Sequence, residues 1–140
     1  MSLYLDASVI VALFTDDPFT QRADSFLNKN LSILSVSDFA AAEFAAAIAR
    51  QVRMREMSSR DARTVFSTFD AWSSRATERL NISPADVVSA EAFLRRLDLP
   101  LRAPDALHIA IAQRIGAMLV TFDQKMAANA AALGTEAARP

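Results

Sequence analysis

Residues 3–14 read LYLDASVIVALF, and this stretch decides the fold. Leu3-Tyr4-Leu5 is a short apolar run that reads as a buried strand ending at Asp6. Ser8 to Phe14 then reads as a helix, with Asp6 or Ser8 as its cap. A buried strand handing directly to a helix through an acid is the opening of a β-α unit. The same arrangement returns near the other end, where Ala117 to Phe122 reads as a strand and Asp123 caps the helix that Gly134 ends. Between them, Pro18 restarts a helical stretch to about Leu27, and Ile33 to Val36 is a second strand. A long helix follows from about Ser37 to Arg55, without Gly or Pro inside it. Ser58 to Ser74 reads as a further helix, and Glu78 to Ile82 as a short strand. Pro84 opens a helix to Leu97, and Pro104 one that ends at Gly116. Strands alternating with helices at this spacing predict an α/β fold with a mostly parallel central sheet covered on both faces.

The chain has 140 residues, the size of one compact domain, and neither a repeat nor a composition break divides residues 1–140. Its 52% hydrophobic and 22% charged composition supplies one core and excludes disorder as the main state. There is no cysteine, so thiolate catalysis, thiolate metal ligation and disulfides are excluded. That absence fits a reducing compartment and a cytoplasmic protein. The opening residues lack a basic region ahead of an apolar run, and Asp6 interrupts what run there is, so no signal peptide is expected. No uninterrupted apolar stretch of about 18 residues predicts a membrane span. Net charge is −1, which by itself argues for no nucleic-acid partner. All but Lys29 and Lys125 of the 15 basic residues are arginine, whose planar fork suits phosphate, although biased composition explains that as readily.

Four acids carry the chemistry. Asp6 and Asp123 each follow a strand and precede a helix, and Asp105 lies in the first turn of its helix behind Pro104. In open parallel sheets ligands bind outside the carboxyl ends of the strands, where such positions gather. Each Asp taken singly is explained as a helix cap. Glu43 is not. It is the only polar residue of FAAAEFAAAIA, residues 39–49, and flanks the Phe44, Ile48 and Val52 stripe. A carboxylate left in such surroundings needs a partner, because burying an unpaired charge costs several kcal/mol. If the four carboxylates converge, each pair at about 4 Å repels by roughly 4 kcal/mol at an effective dielectric of 20. A divalent cation resolves that repulsion, and an all-oxygen donor set with one His and no Cys favours Mg²⁺ or Mn²⁺ over Zn²⁺.

Together LDASVIVA (5–12), the lone Glu43 in its alanine-rich helix, APDALHIAIA (103–112) and LVTFDQK (119–125) resemble the PIN-domain superfamily, and within it the VapC toxins of bacterial VapBC toxin–antitoxin pairs. The likeness runs along essentially the whole chain. It implies a three-layer α/β/α sandwich and a Mg²⁺-dependent endoribonuclease that cleaves RNA with metal-activated water. It places Asp6, Glu43, Asp105 and Asp123 as the metal-binding quartet, with Ser8 and Thr121 as supporting polar positions. It also implies an antitoxin partner and a homodimer. His108, three residues after Asp105, is read as a packing or hydrogen-bonding residue, since metal-activated water needs no His base. Two rivals remain. A non-toxin nuclease of the same superfamily would keep the quartet without the partner. A non-catalytic α/β binding module would use the acids only as caps. An Asp-nucleophile phosphatase would want a second acid two residues after Asp6, where this chain has Ser8.

Overall fold

Leu3 and Leu5 point to one side of the first strand and Tyr4 to the other, and these two directions define the two halves of the core. The computed structural model describes residues 1–140. Its strands are β1 (Ser2–Leu5), β2 (Ile33–Ser37), β3 (Thr77–Leu80), β4 (Met118–Val120) and β5 (Ala137–Ala138). Its helices are α1 (Ala7–Phe14), α2 (Thr20–Lys29), α3 (Asp38–Arg53), α4 (Ser59–Ala76), α5 (Pro84–Leu94), α6 (Ala103–Ile115) and α7 (Gln124–Ala132). The strands form one sheet in the order β3-β2-β1-β4-β5, and every neighbouring pair is parallel. On one face Leu3, Leu5, Val36 and Val120 pack against Val9, Ile10, Phe44, Ile48 and Phe69 of α1, α3 and α4. On the other, Tyr4 and Leu119 pack against Ile109, Ile111, Met126 and Ala130 of α6 and α7. The result is the expected three-layer α/β/α sandwich.

Local chemistry explains where the elements begin and end. Ala40, Phe44 and Ile48, four apart, form the buried stripe of α3, and Ser37 caps it by accepting the Ala40 N–H at 2.9 Å. That helix therefore starts at Asp38, because Ser37 closes β2 and serves as the cap. Thr20, rather than Pro18, begins α2: its hydroxyl reaches the carbonyls of Ala12 and Thr15 and ties the intervening turn down. The helix opened by Pro84 stops at Leu94, short of the expected Leu97, which adopts φ 65° and breaks the helical path. Gly116 at φ 64° ends α6 in the left-handed conformation that glycine adopts without penalty. Strand β5 has only two residues and no alternation long enough to read, so it was not expected from sequence. No helix is long and apolar enough to cross a membrane.

The strand order fixes where a site can lie. The chain leaves β1 for β2 and β3 on one side, then returns to place β4 and β5 on the other. The order reverses between β1 and β4, and open parallel sheets bind ligands in the crevice outside the carboxyl ends of their strands at such a point.

Candidate active site

Asp6 stands at that crevice. It is the N-cap of α1, and all its bonds are to donors of the chain itself. Oδ1 accepts the Ser8 hydroxyl at 2.6 Å and the Val9 N–H at 3.2 Å, and Oδ2 accepts the Thr121 hydroxyl at 2.5 Å. Ser8 also accepts the Phe122 N–H at 3.0 Å, and Thr121 accepts the Asp123 N–H at 3.0 Å. The two polar positions thus stitch the end of β1 to the end of β4 and fix the orientation of Asp6. Asp123 caps α7 through the Met126 N–H at 3.0 Å. Asp105, 8% exposed, sits in the first turn of α6, with Arg102 Nε 3.6 Å from Oδ2.

The electrostatics of these acids are unbalanced. Burial pushes the Asp6 carboxyl above its ordinary range, against the hydrogen bonds from Ser8 and Thr121 and the nearby His108 imidazole. Burial also raises Asp105; Arg102 opposes this, and the neighbouring Asp123 carboxylate adds to it. Asp105 therefore lies in the field of Asp123, and His108 lies near both Asp6 and Asp105.

Glu43 joins the group by a different route. Its Oε1 is hydrogen-bonded to His108 Nε2, and His108 Nδ1 is 2.7 Å from the Tyr4 hydroxyl. The Tyr4 hydroxyl is in turn 2.7 Å from Ser37 Oγ. The partner that the alanine-rich surroundings of Glu43 demand is thus His108 as far as Oε1 is concerned. Oε2 makes no hydrogen bond within the chain. Sequence reasoning did not find Tyr4 or Ser37. The available signals were a phenol inside a Leu-Leu strand and a Ser at a strand-to-helix junction, and neither names the other.

No three His, Asp or Glu side chains lie close enough together to hold a metal ion in this conformation. Each acid leans on its own donors: Asp6 on hydroxyls, Asp123 on a helix N-terminus, Asp105 toward Arg102, Glu43 on His108. Mutual repulsion favours that arrangement. The donor chemistry nevertheless fits a hard divalent cation. The set is carboxylate and hydroxyl oxygen without sulfur; the buried Asp6 carboxyl has hydroxyls and an N–H for partners, and the buried Asp105 has only the exposed Arg102.

Comparison with known proteins places this geometry. No curated protein matches the chain. Among solved structures it is similar to VapBC2 from Rickettsia felis bound to a promoter DNA fragment. That match has 15% identity and a TM-score of 0.73, and it covers 99% of this chain and 98% of the other. It is similar to VapC20 from Mycobacterium tuberculosis, described as a Sarcin-Ricin loop cleaving toxin. There the identity is 17% and the TM-score 0.73, over 90% of this chain and 93% of that one. It is also similar to FitAcB from Neisseria gonorrhoeae, with 13% identity, a TM-score of 0.76, and 96% and 95% of the two chains covered. At such identities the likeness establishes the fold and leaves function to the site. The PIN domain family profile matches residues 3–132, a span that takes in Asp6, Glu43, Asp105 and Asp123, and this chain belongs to the PIN domain family.

Proposed function

We propose that this chain is a Mg²⁺-dependent endoribonuclease, with Mn²⁺ as a substitute, and the toxin of a VapBC-like toxin–antitoxin pair. The observation that carries the reading is the crevice between β1 and β4. There Asp6, locked by Ser8 and Thr121, is joined through the Thr121 hydroxyl to the Asp123 backbone, and the buried Asp105 lies in the field of Asp123 with only the exposed Arg102 against it. Asp6, Asp105, Asp123 and Glu43 are the residues that would hold the metal. A bound Mg²⁺ supplies water activation and charge neutralisation at a phosphodiester. Ser8 and Thr121 keep Asp6 in one rotamer, so its oxygens need no reordering when the site is used. Glu43, with Oε2 unengaged, is the carboxylate placed to accept the proton released as water attacks.

Relatives solved as VapBC complexes support an antitoxin partner, and the description of Mycobacterium tuberculosis VapC20 supports an RNA substrate. A cytoplasmic homodimer of one domain, residues 1–140, completes the proposal. The test is cleavage of structured RNA by the purified chain. Activity with Mg²⁺ or Mn²⁺ and none in excess EDTA is the expected result, and full activity in EDTA would end the mechanism. Expression of the chain alone is expected to slow bacterial growth, and the Asp6→Asn variant is not. Cleavage without growth arrest selects the non-toxin nuclease. Neither activity nor metal binding selects the binding module.

A further inference from the structure

His108 is the single histidine of the chain and is buried to 1% exposure, yet both its ring nitrogens are engaged. Its ring is held between two aromatic neighbours, with centroids 5.7 Å from Tyr4 and 5.1 Å from Phe39. The donors along this chain of contacts can be ordered. Ser37 Oγ accepts the Ala40 N–H at 2.9 Å, which leaves its own proton for the Tyr4 oxygen. With the Ser37 proton given to it, the Tyr4 hydroxyl has the His108 Nδ1 nitrogen, 2.7 Å away, as the acceptor for its own proton. With Nδ1 accepting, the ring proton sits on Nε2 and is donated to Glu43 Oε1. The opposite direction would set the Nε2 lone pair against a carboxylate oxygen. The relay begins at the N-cap of α3 and ends nearly two turns later on the same helix, at a side chain that is 33% exposed.

We infer that Tyr4 and His108 are positioning residues for Glu43: they deliver one N–H to Oε1, so that Oε2 is presented to the crevice in a single orientation. This rests on the metal-dependent nuclease reading above. A carboxylate on a mobile three-torsion side chain would otherwise lose rotamer freedom on every binding event. Partners that fix a metal-binding side chain in this way change metal affinity or activity about 10- to 100-fold when removed. A His108 that served packing alone would leave affinity untouched, since Phe fills the same space.

The experiment is a calorimetric titration of the full chain with Mn²⁺, without RNA, for the parent and for His108→Phe, His108→Gln and Tyr4→Phe. His108→Phe is expected to bind about 10- to 100-fold more weakly. Gln keeps an N–H donor and is expected to recover most of that loss. Tyr4→Phe, which retains the ring and its packing, is expected to lose several-fold, and it carries the test if His108→Phe fails to fold. The ring ¹⁵N spectrum of the one histidine in the metal-free parent is expected to show the proton on Nε2 and none on Nδ1. A proton on Nδ1, or variants that bind as the parent does, overturns the inference alone. A parent that binds no Mn²⁺ removes the nuclease reading and this inference with it.

Discussion

Two buried acidic regions of this molecule behave oppositely. Asp86, 1% exposed on α5, is fully balanced: it accepts the Ser83 N–H at 2.8 Å in a capping box and two Arg114 N–H groups at 2.7 and 3.0 Å. Arg114, on α6, is drawn into this pair and also reaches the Asn81 carbonyl at 3.1 Å. Asp6, at the carboxyl end of β1, and Asp105, on α6, are buried too, but Asp6 has hydroxyls in place of a cation, and Asp105 has one exposed guanidinium 3.6 Å away and an anionic neighbour. Burial of a carboxylate therefore does not mark function in this chain. What separates the two regions is how fully the charge is compensated inside the protein: two direct N–H groups of Arg114 at Asp86 against hydroxyls at Asp6 and one longer approach of Arg102 at Asp105.

That contrast breaks most visibly in activity. Asp6→Asn and Asp105→Asn are expected to lower RNA cleavage by more than about 100-fold, beyond what loss of an outer supporting contact produces. Asp86→Asn is expected to retain the parent turnover below its melting temperature. Gel assays of all three at one Mg²⁺ concentration check this, and equal losses would erase the distinction. In stability the ranking inverts. Asp86→Asn leaves Arg114 without its partner and is expected to cost about 2–3 kcal/mol in urea unfolding, below the roughly 3–5 kcal/mol of a fully buried pair because Arg114 is partly solvated. Mg²⁺ should not change that figure.

A smaller effect concerns pH. The folded-state pKa values of Asp6 and Asp105 lie above their ordinary values, so their protonated forms favour folding. The stability they contribute is full below the unfolded carboxyl pKa of about 4 and is lost as pH rises through the raised values. Acidifying the metal-free protein from neutral toward pH 5 should therefore help the parent more than Asp105→Asn, read as a difference in urea midpoints. A steeper gain in the variant would contradict the sign. Smallest of all, Glu91→Gln removes an exposed pair with Arg95 at 3.0 Å and should change stability by less than about 0.5 kcal/mol, with activity unaltered.

Most of the sheet could be read from the chain because β1 and β4 are apolar runs that stop at an acid, and proline or glycine marks several helix ends. Strand β5 could not, since two alanines carry no period and pair with Leu119 and Val120 only through tertiary placement. Glu43 stood out because alanine surrounded it. Its partner did not, because Tyr4 and His108 meet across 104 residues of sequence and nothing local to either announces the bond. The crevice itself follows from the order of the strands, a property that periodicity does not encode.

The central claim is that Asp6, Asp105 and Asp123 form one under-compensated anionic site that takes a divalent cation. Four melting curves test it most directly: parent and Asp105→Asn, each in EDTA and in Mg²⁺. Removing one anion relieves burial and the repulsion from Asp123, while loss of a first-turn acid and of its contact with the exposed Arg102 costs a few tenths to about 1 kcal/mol. The metal-free variant is therefore expected to melt above the metal-free parent, by about 2–4 °C for a net 1 kcal/mol. Mg²⁺ is expected to raise the parent, because a ligand of the native state stabilises it, and to move the variant much less. A variant that melts below the parent in EDTA, with neither protein responding to Mg²⁺, would contradict the account.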